Sequence, residues 1–268
     1  MAANPRPRAL LFDIGGVCVV SPFQAILDYE IEKNIPLGWI NYSIQHTSPN
    51  GAWHRLERGE VKIDAEWFKQ FNSDFRHTKL WERFNAQSNP SIAGSELPPI
   101  PTVDAEYVFW GMMRMSRNPD PYMFPALQKL KDSGLFVMGG LSNTAILPKD
   151  HKLGDQPPAS TEVKKFFDFF ISSAHSGLRK PDPRIYALAM EEINAAAKLK
   201  GVAGGEIKPE EVVFLDDIGI NLKFAAKAGI RTIKVNLGQI PDAVKQLEQY
   251  TGLSLLENGS GGAGQAKL

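Results

Sequence analysis

Apolar positions along this chain follow two rhythms. Short, nearly continuous runs occupy residues 8–20, 135–141, 169–173, 212–215 and 231–235, and the first of them breaks at Asp13-Ile14-Gly15-Gly16. Runs without alternation are what strands buried on both faces look like, which is the condition of a parallel sheet. Between the later runs, apolar residues recur at helical spacing over 124–132, closed by Gly134, over 183–196, and over 222–228, stopped by Gly229. Glycine past the last periodic residue supplies the left-handed turn that ends a helix. Strand and helix alternating in this way predict an α/β fold, a doubly wound parallel-sheet (Rossmann-like) core with right-handed crossovers.

The rhythm is interrupted once. From residue 23 to 117 the spacing is helical, over 23–32, 51–58, 64–75 and 104–115, and all five tryptophans, Trp39, Trp53, Trp67, Trp81 and Trp110, fall in this stretch. The Pro- and Ser-rich residues 89–102 predict a long loop. The expected organisation is a catalytic core from 1–22 and 118–256, an inserted helical cap over 23–117 lying on the C-terminal edge of the sheet, and a flexible tail at 257–268. Trp53, Trp67 and Trp110 either line an apolar pocket or form the core of the cap, and aromatics at helical spacing favour the core.

Composition narrows the class. Thirty basic residues balance 30 acidic ones, which argues against a nucleic-acid binder or a membrane-surface protein held by charge. No run has the length of a transmembrane helix, and the early run is too interrupted for a signal peptide. The single cysteine, Cys18, excludes an internal disulfide framework, and its apolar setting predicts a core position. The Gly-rich 259–264 leads to Ala266-Lys267-Leu268, a variant of the Ser-Lys-Leu peroxisomal address. The expectation is recognition by a peroxisomal import receptor, with cytoplasmic residence the alternative. A cap-mediated homodimer is compatible with the pattern and not required by it.

Four polar signals stand at strand ends or just beyond them: Asp13 with Gly15, Ser142-Asn143, Lys180, and Asp216-Asp217 with Asn221. In a doubly wound sheet these ends converge on one crevice. Adjacent carboxylates at a strand end repel and lose hydration, a cost that a hard divalent cation with oxygen ligands offsets. The competing reading is an N-cap, where Asp complements the helix dipole. Together the signals suit phosphoryl transfer. Asp13 is the candidate nucleophile, and Asp13, Asp217 and the Gly15 carbonyl are the candidate ligands of Mg2+. Ser142, Asn143 and Lys180 are placed to hold phosphoryl oxygens, Asp216 to anchor Lys180 or a metal-bound water, and Asn221 to orient the acidic pair.

These residues resemble the four motifs of the haloacid dehalogenase superfamily, in the subclass with a cap inserted between the first and second motifs. Residues 167–171, 177–186 and 214–223, with Leu247-Glu248, Thr251-Gly252 and, in the cap, Gly59-Glu60, resemble one branch, the N-terminal phosphatase domain of soluble epoxide hydrolase. The resemblance implies a magnesium-dependent phosphatase acting on a small-molecule or lipid phosphate. The α/β-hydrolase half of such enzymes is not expected in the residues after Leu256. One departure stands out: phosphatases of the superfamily usually carry a second Asp two residues after the nucleophile, as general acid and base, and here that position is Gly15. Loss of such a group typically costs about 10²–10⁴ in rate. Slow phosphatase, 2-haloacid dehalogenase-type hydrolase and catalytically weak phosphate-binding pseudoenzyme therefore all remain open.

Overall fold

The computed structural model describes residues 5–88, 97–149, 151 and 159–256. Among them, five strands form one parallel sheet: β1 (Ala9–Phe12), β2 (Val137–Ser142), β3 (Phe169–Ser172), β4 (Val212–Asp216) and β5 (Arg231–Lys234), in the order β3-β2-β1-β4-β5. β1 lies at the centre, with Ala9 opposite Val137 on one side and Val212 on the other. The order reverses at β1, so chain crosses to either side of it and a crevice opens at its carboxyl end.

The continuous apolar runs have their predicted cause. Leu10, Phe12, Met138, Val213 and Leu215 enter one hydrophobic cluster, and Ala9, Leu11, Val137, Val212 and Phe214 enter another, so β1, β2 and β4 bury both faces, while the edge strands β3 and β5 are only partly buried. The first cluster is closed by helices near residues 123–133 and 240–251, the second by those near 183–199 and 219–227.

Between β1 and β2 the chain forms α1 (Phe23–Glu32), α2 (Trp39–His46), α3 (Ala52–Glu57), α4 (Ala65–Asp74), α5 (Thr78–Ser88) and α6 (Ala105–Met115), then α7 (Met123–Ser133) on the sheet. Helices α1 to α6 share a separate hydrophobic cluster that contains Trp39, Trp67, Trp81 and Trp110, with Trp53 packed against it. The tryptophans are thus packing residues. This helical block leaves and rejoins the sheet at one place, where Val20 N–H donates to the Asn118 carbonyl (2.8 Å) and Asp120 N–H to the Cys18 carbonyl (3.0 Å). Cys18 is fully buried.

After β2 come α8 (Ala159–Lys164), β3, α9 (Ser173–Ser176), α10 (Pro183–Leu199), β4, α11 (Gly219–Lys227), β5 and α12 (Ile240–Thr251). The first strand is shorter than the apolar run of residues 8–20. Beyond Phe12 the chain folds back on itself, with the N–H groups of Cys18 and Val19 both donating to the Ile14 carbonyl. The run stays apolar because this turn is buried, not because the strand continues.

The sequence pattern named no helix at α2, α5 or α12. α2 begins at Gly38, which has no capping side chain of its own. Its cap comes from buried Glu30, whose carboxylate accepts from Gly38 N–H (2.7 Å) and Ile40 N–H (2.8 Å). In the same way Asp74 accepts from Ala52 N–H at the start of α3 (2.7 Å). By contrast Asp64, Asp104 and Asp182 cap α4, α6 and α10 locally, and these helices stand where the pattern put them. Of the loop expected at 89–102, residues 97–102 hold no regular element, and 89–96 lie outside the described residues, as do 257–268 with Ala266-Lys267-Leu268. Among the described residues, no helix is long and apolar enough to cross a membrane.

Asp168, at the amino end of β3, ties this end of the sheet together. Its carboxylate accepts from Met138 N–H (2.9 Å), Lys131 Nζ (2.9 Å) and Lys200 Nζ (2.7 Å). Burial works to raise its pKa, but the bonds from Lys200, Met138 and Lys131 outweigh burial and hold it below 3.8. A depressed carboxylate adds stability above its unfolded pKa and loses it as pH falls through the folded value. Asp168→Ala is expected to cost about 1–3 kcal/mol at pH 7, the lysines being partly screened by solvent. The gap between variant and wild type should close below about pH 4 in urea unfolding; a gap independent of pH would assign the loss to packing alone.

Candidate active site

Apart from Lys180, the candidate site residues lie at the carboxyl end of a strand or in the turn that follows it. Asp13 follows β1, with its N–H donating to the Leu215 carbonyl across the sheet (2.9 Å). Ser142 ends β2 and Asn143 follows it; Asp216 ends β4 and Asp217 follows; Asn221 sits in the first turn of α11. Lys180 lies in the loop between α9 and α10, and it is 1 % exposed.

The centre of the site is that buried ammonium. Lys180 Nζ lies 2.8 Å from Asp13 Oδ1 and 2.7 Å from Asp216 Oδ2. Burial alone would lower the Lys180 pKa, yet the two carboxylates together raise it, so the ammonium stays charged. The lysine loop is fixed through its backbone: Lys180 N–H donates to Asn143 Oδ1 (2.8 Å), and Asn143 Nδ2 donates to the Lys180 carbonyl (3.1 Å). One Nδ2 hydrogen of Asn143 is therefore engaged with the protein itself.

The two neighbouring acids have opposite surroundings. Asp216 is fully buried and saturated. Its Oδ1 accepts from Ile218 N–H (2.7 Å), its Oδ2 from Lys180, and both oxygens from Asn221 Nδ2 (3.1 Å each). Asn221 is held in turn by Tyr186, whose hydroxyl donates to the Asn221 carbonyl (2.8 Å). Asp217 Oδ1, by contrast, is buried and has no hydrogen-bond partner. Burial, then the charge of Asp216, pushes the Asp217 carboxyl up to about 7. Asp13 is also raised well above the ordinary carboxylate range, by burial first, against the pull of Lys180 and with the push of Asp216 and Asp217.

Oxygens of Asp13, Asp216 and Asp217 lie within 4.8 Å of one another. Three carboxylates against one shared ammonium leave an excess of negative charge, and a buried carboxylate oxygen without a donor costs roughly 1–3 kcal/mol or more. A divalent cation with oxygen ligands fits both facts. The backbone makes room for it: Gly16 has φ +73°, and a Cβ there would come 2.5 Å from Asp217 Oδ2. Of the proposed ligands, Asp13 and Asp217 belong to this cluster, while Gly15 sits in the adjoining turn, bridged to Val19.

Several contributors escaped the sequence pattern. Ile14 N–H donates to Asp13 Oδ1 (2.7 Å), which with Lys180 holds the carboxylate in one orientation. Cys18 Sγ donates to the Asp13 carbonyl (3.1 Å), and Lys234 Nζ donates to the Asp217 carbonyl. Backbone donors carry no residue signature, and Lys234 enters the site only through the pairing of β4 with β5, which sets Asp216 opposite it.

A parallel α/β core carrying an acid after the first strand, a lysine before a helix and an acidic pair after the fourth strand defines a class of hydrolase. The family model of haloacid dehalogenase-like hydrolases matches residues 7–229, and the chain belongs to that family. Among curated proteins it is 30 % identical over 250 residues to acyl-CoA dehydrogenase family member 10 of Mus musculus, covering 92 % of this chain and 19 % of that protein. It is 28 % identical over 251 residues to bifunctional epoxide hydrolase 2 of Sus scrofa, covering 93 % of this chain and 40 % of that protein. The chain thus spans less than half the length of either relative. A solved structure described as a predicted HAD-like family hydrolase from Porphyromonas gingivalis shares the fold, with a TM-score of 0.50, 20 % identity, and coverage of 90 % of this chain and 98 % of that one.

Replacing Asp217 separates stability from ligation. Without metal, Asp217→Asn removes buried repulsion and should leave the protein as stable as wild type or about 1–3 kcal/mol more stable in urea unfolding. By titration calorimetry the same variant should bind Mg2+ at least about tenfold more weakly. Unchanged Mg2+ affinity would move the cation site away from this cluster.

Proposed function

We propose that the chain is a magnesium-dependent phosphohydrolase that cleaves a small-molecule or lipid phosphate monoester through an aspartyl-phosphate on Asp13. The observation that carries this reading is the buried, partnerless Oδ1 of Asp217 beside an ammonium already shared by Asp13 and Asp216. Asp13 and Asp217 would hold the Mg2+, which would supply positive charge against the phosphoryl oxygens and against the nucleophile's own repulsion.

The chain's own groups do the rest. Ile14 N–H and Lys180 Nζ fix Asp13 for in-line attack on phosphorus, and Lys180 pulls against the burial that raises the carboxyl. The Ser142 hydroxyl, whose recorded bond to the Asn143 carbonyl is a long 3.4 Å, is available to a phosphoryl oxygen. As the bond from Asp13 to phosphorus forms, the bond to the leaving oxygen breaks; water then attacks the phosphorus, releasing phosphate and restoring Asp13. Asp216 and Asn221 act from behind, holding Lys180.

Position 15 shapes the rate. With glycine there, the leaving oxygen takes its proton from water, which favours good leaving groups. That feature also suits a dehalogenase, because halide leaves without a proton. Halide displacement, however, gives Asp217 nothing to bind, and its orphaned oxygen favours the phosphatase. The helical block of α1 to α6 is proposed to serve as the cap, excluding water over the carboxyl edge of the sheet.

An aryl phosphate with a good leaving group is the direct test. Release should require Mg2+, stop with chelator, and fall at least about 10³-fold in Asp13→Asn. A Cβ at position 15 would lie 3.2 Å from Pro22 Cδ, close enough to need only a small shift. Gly15→Asp should therefore be accommodated and raise turnover on alkyl phosphates by about 10²-fold. Release indifferent to chelator would sink the phosphatase reading, and release seen only in Gly15→Asp would leave the natural chain a phosphate-binding protein.

A further inference from the structure

The helical block touches the site through a contact that none of the motifs accounts for. At the end of α3, Glu57 Oε2 accepts from both Nε (2.8 Å) and Nη2 (2.7 Å) of Arg179, the residue immediately before Lys180. Glu57 is buried and Arg179 half-buried, so a partly desolvated pair joins the inserted helices to the lysine loop. Two residues further on, Gly59 has φ +69°, and a Cβ there would lie 2.2 Å from the Ala174 carbonyl oxygen of α9. Only glycine allows the turn after α3 to approach α9 so closely. His54, one turn earlier on α3, is buried with its Nδ1 unpartnered. Burial, then the charges of Arg179 and Arg58, holds its pKa down to about 4, so it is neutral and leaves Arg179 to Glu57.

Lys180 is therefore gripped from two sides. From the core, Asn143 holds its backbone at both the N–H and the carbonyl. From the helical block, Glu57 holds the adjacent side chain, and the Arg179 carbonyl accepts from Asp182 N–H (2.9 Å) to close the loop. We infer that the Glu57–Arg179 pair, seated by the close approach of Gly59 to Ala174, is a latch through which the inserted helices set the position of Lys180 against Asp13. Glu57 and Arg179 are positioning residues; neither touches the reacting atoms. Seating of the helical block over the sheet and correct placement of the ammonium thus become one event. The catalytic consequence rests on the proposed role of Lys180, whereas the mechanical coupling does not.

The test uses the full chain and two independent readouts on Glu57→Gln, Arg179→Gln, the double variant and the conservative Arg179→Lys. In amide hydrogen exchange without metal or substrate, each single Gln variant should raise exchange over residues 177–182 about tenfold, with α7 unchanged. The double variant should be no worse than either single, and Arg179→Lys should recover part of the protection. In the aryl phosphate assay with Mg2+, kcat should fall about tenfold in the Gln variants with KM within about twofold, because Lys180 acts on charge developing in the transition state. Unchanged exchange over 177–182, an equal rise in α7, or additive single effects would overturn the latch. Faster exchange with kcat unchanged would overturn its control of Lys180. If the wild type releases no phosphate, the phosphatase reading falls alone, and the exchange data still decide the coupling.

Discussion

One buried ammonium makes the rest of this structure possible. Lys180 Nζ sits within 2.8 Å of two carboxylates that belong to different strands, Asp13 after β1 and Asp216 at the end of β4. Without it, the meeting of these strand ends would bury adjacent negative charges with no ammonium between them. With it, the cluster still carries more negative charge than positive, and that residual imbalance is the useful part. The protein satisfies Asp216 completely and leaves Asp217 Oδ1 with nothing, so the cost of burial is concentrated on one oxygen. Burial and the neighbouring carboxylates raise the Asp13 and Asp217 carboxyls, the same imbalance expressed as a higher affinity for protons.

The sheet is what brings these charges together. β1 is central because its neighbours β2 and β4 leave the crevice at its carboxyl end, and each contributes a segment to it. The helical block reaches the loop of the same lysine from the other side, through Glu57 on Arg179 and the approach of Gly59 to Ala174. Core, site and inserted helices therefore share one mechanical centre. The tryptophans give the block an interior of its own and so let it act as a body; Trp67 stacks on Phe71 at 5.1 Å and meets Phe109 edge-on at the same distance.

How much of this was legible in the sequence follows from how far apart the interacting partners lie. Strands buried on both faces and helices capped by their own Asp are local patterns, and β2 to β5, α4, α6 and α10 stand close to where the pattern set them. α2 was invisible because its cap, Glu30, lies eight residues before Gly38 and reaches it only after folding. The end of β1 was misplaced because a buried turn and a buried strand have the same composition. In the site, charged groups at strand ends were readable. Their division into a saturated Asp216 and an orphaned Asp217 was not, because the deciding donors are the Ile218 amide and the Asn221 side chain, placed by the turn into α11.

Gly15 shows the same limit from the opposite direction. In the sequence it reads as a missing acid, and no spacing rule says what replaces it. In the fold, its neighbour Gly16 is required, since a side chain there would fill the space beside Asp217, whereas position 15 has no positive φ and meets only a proline ring. The backbone therefore does not demand glycine at 15 as it does at 16. A glycine without a conformational reason, one residue from a glycine with one, places the difference from an ordinary family phosphatase in chemistry and not in architecture. On the proposed phosphatase reading, the cluster, the lysine and the latch can all be intact while proton transfer to the leaving group is left to solvent.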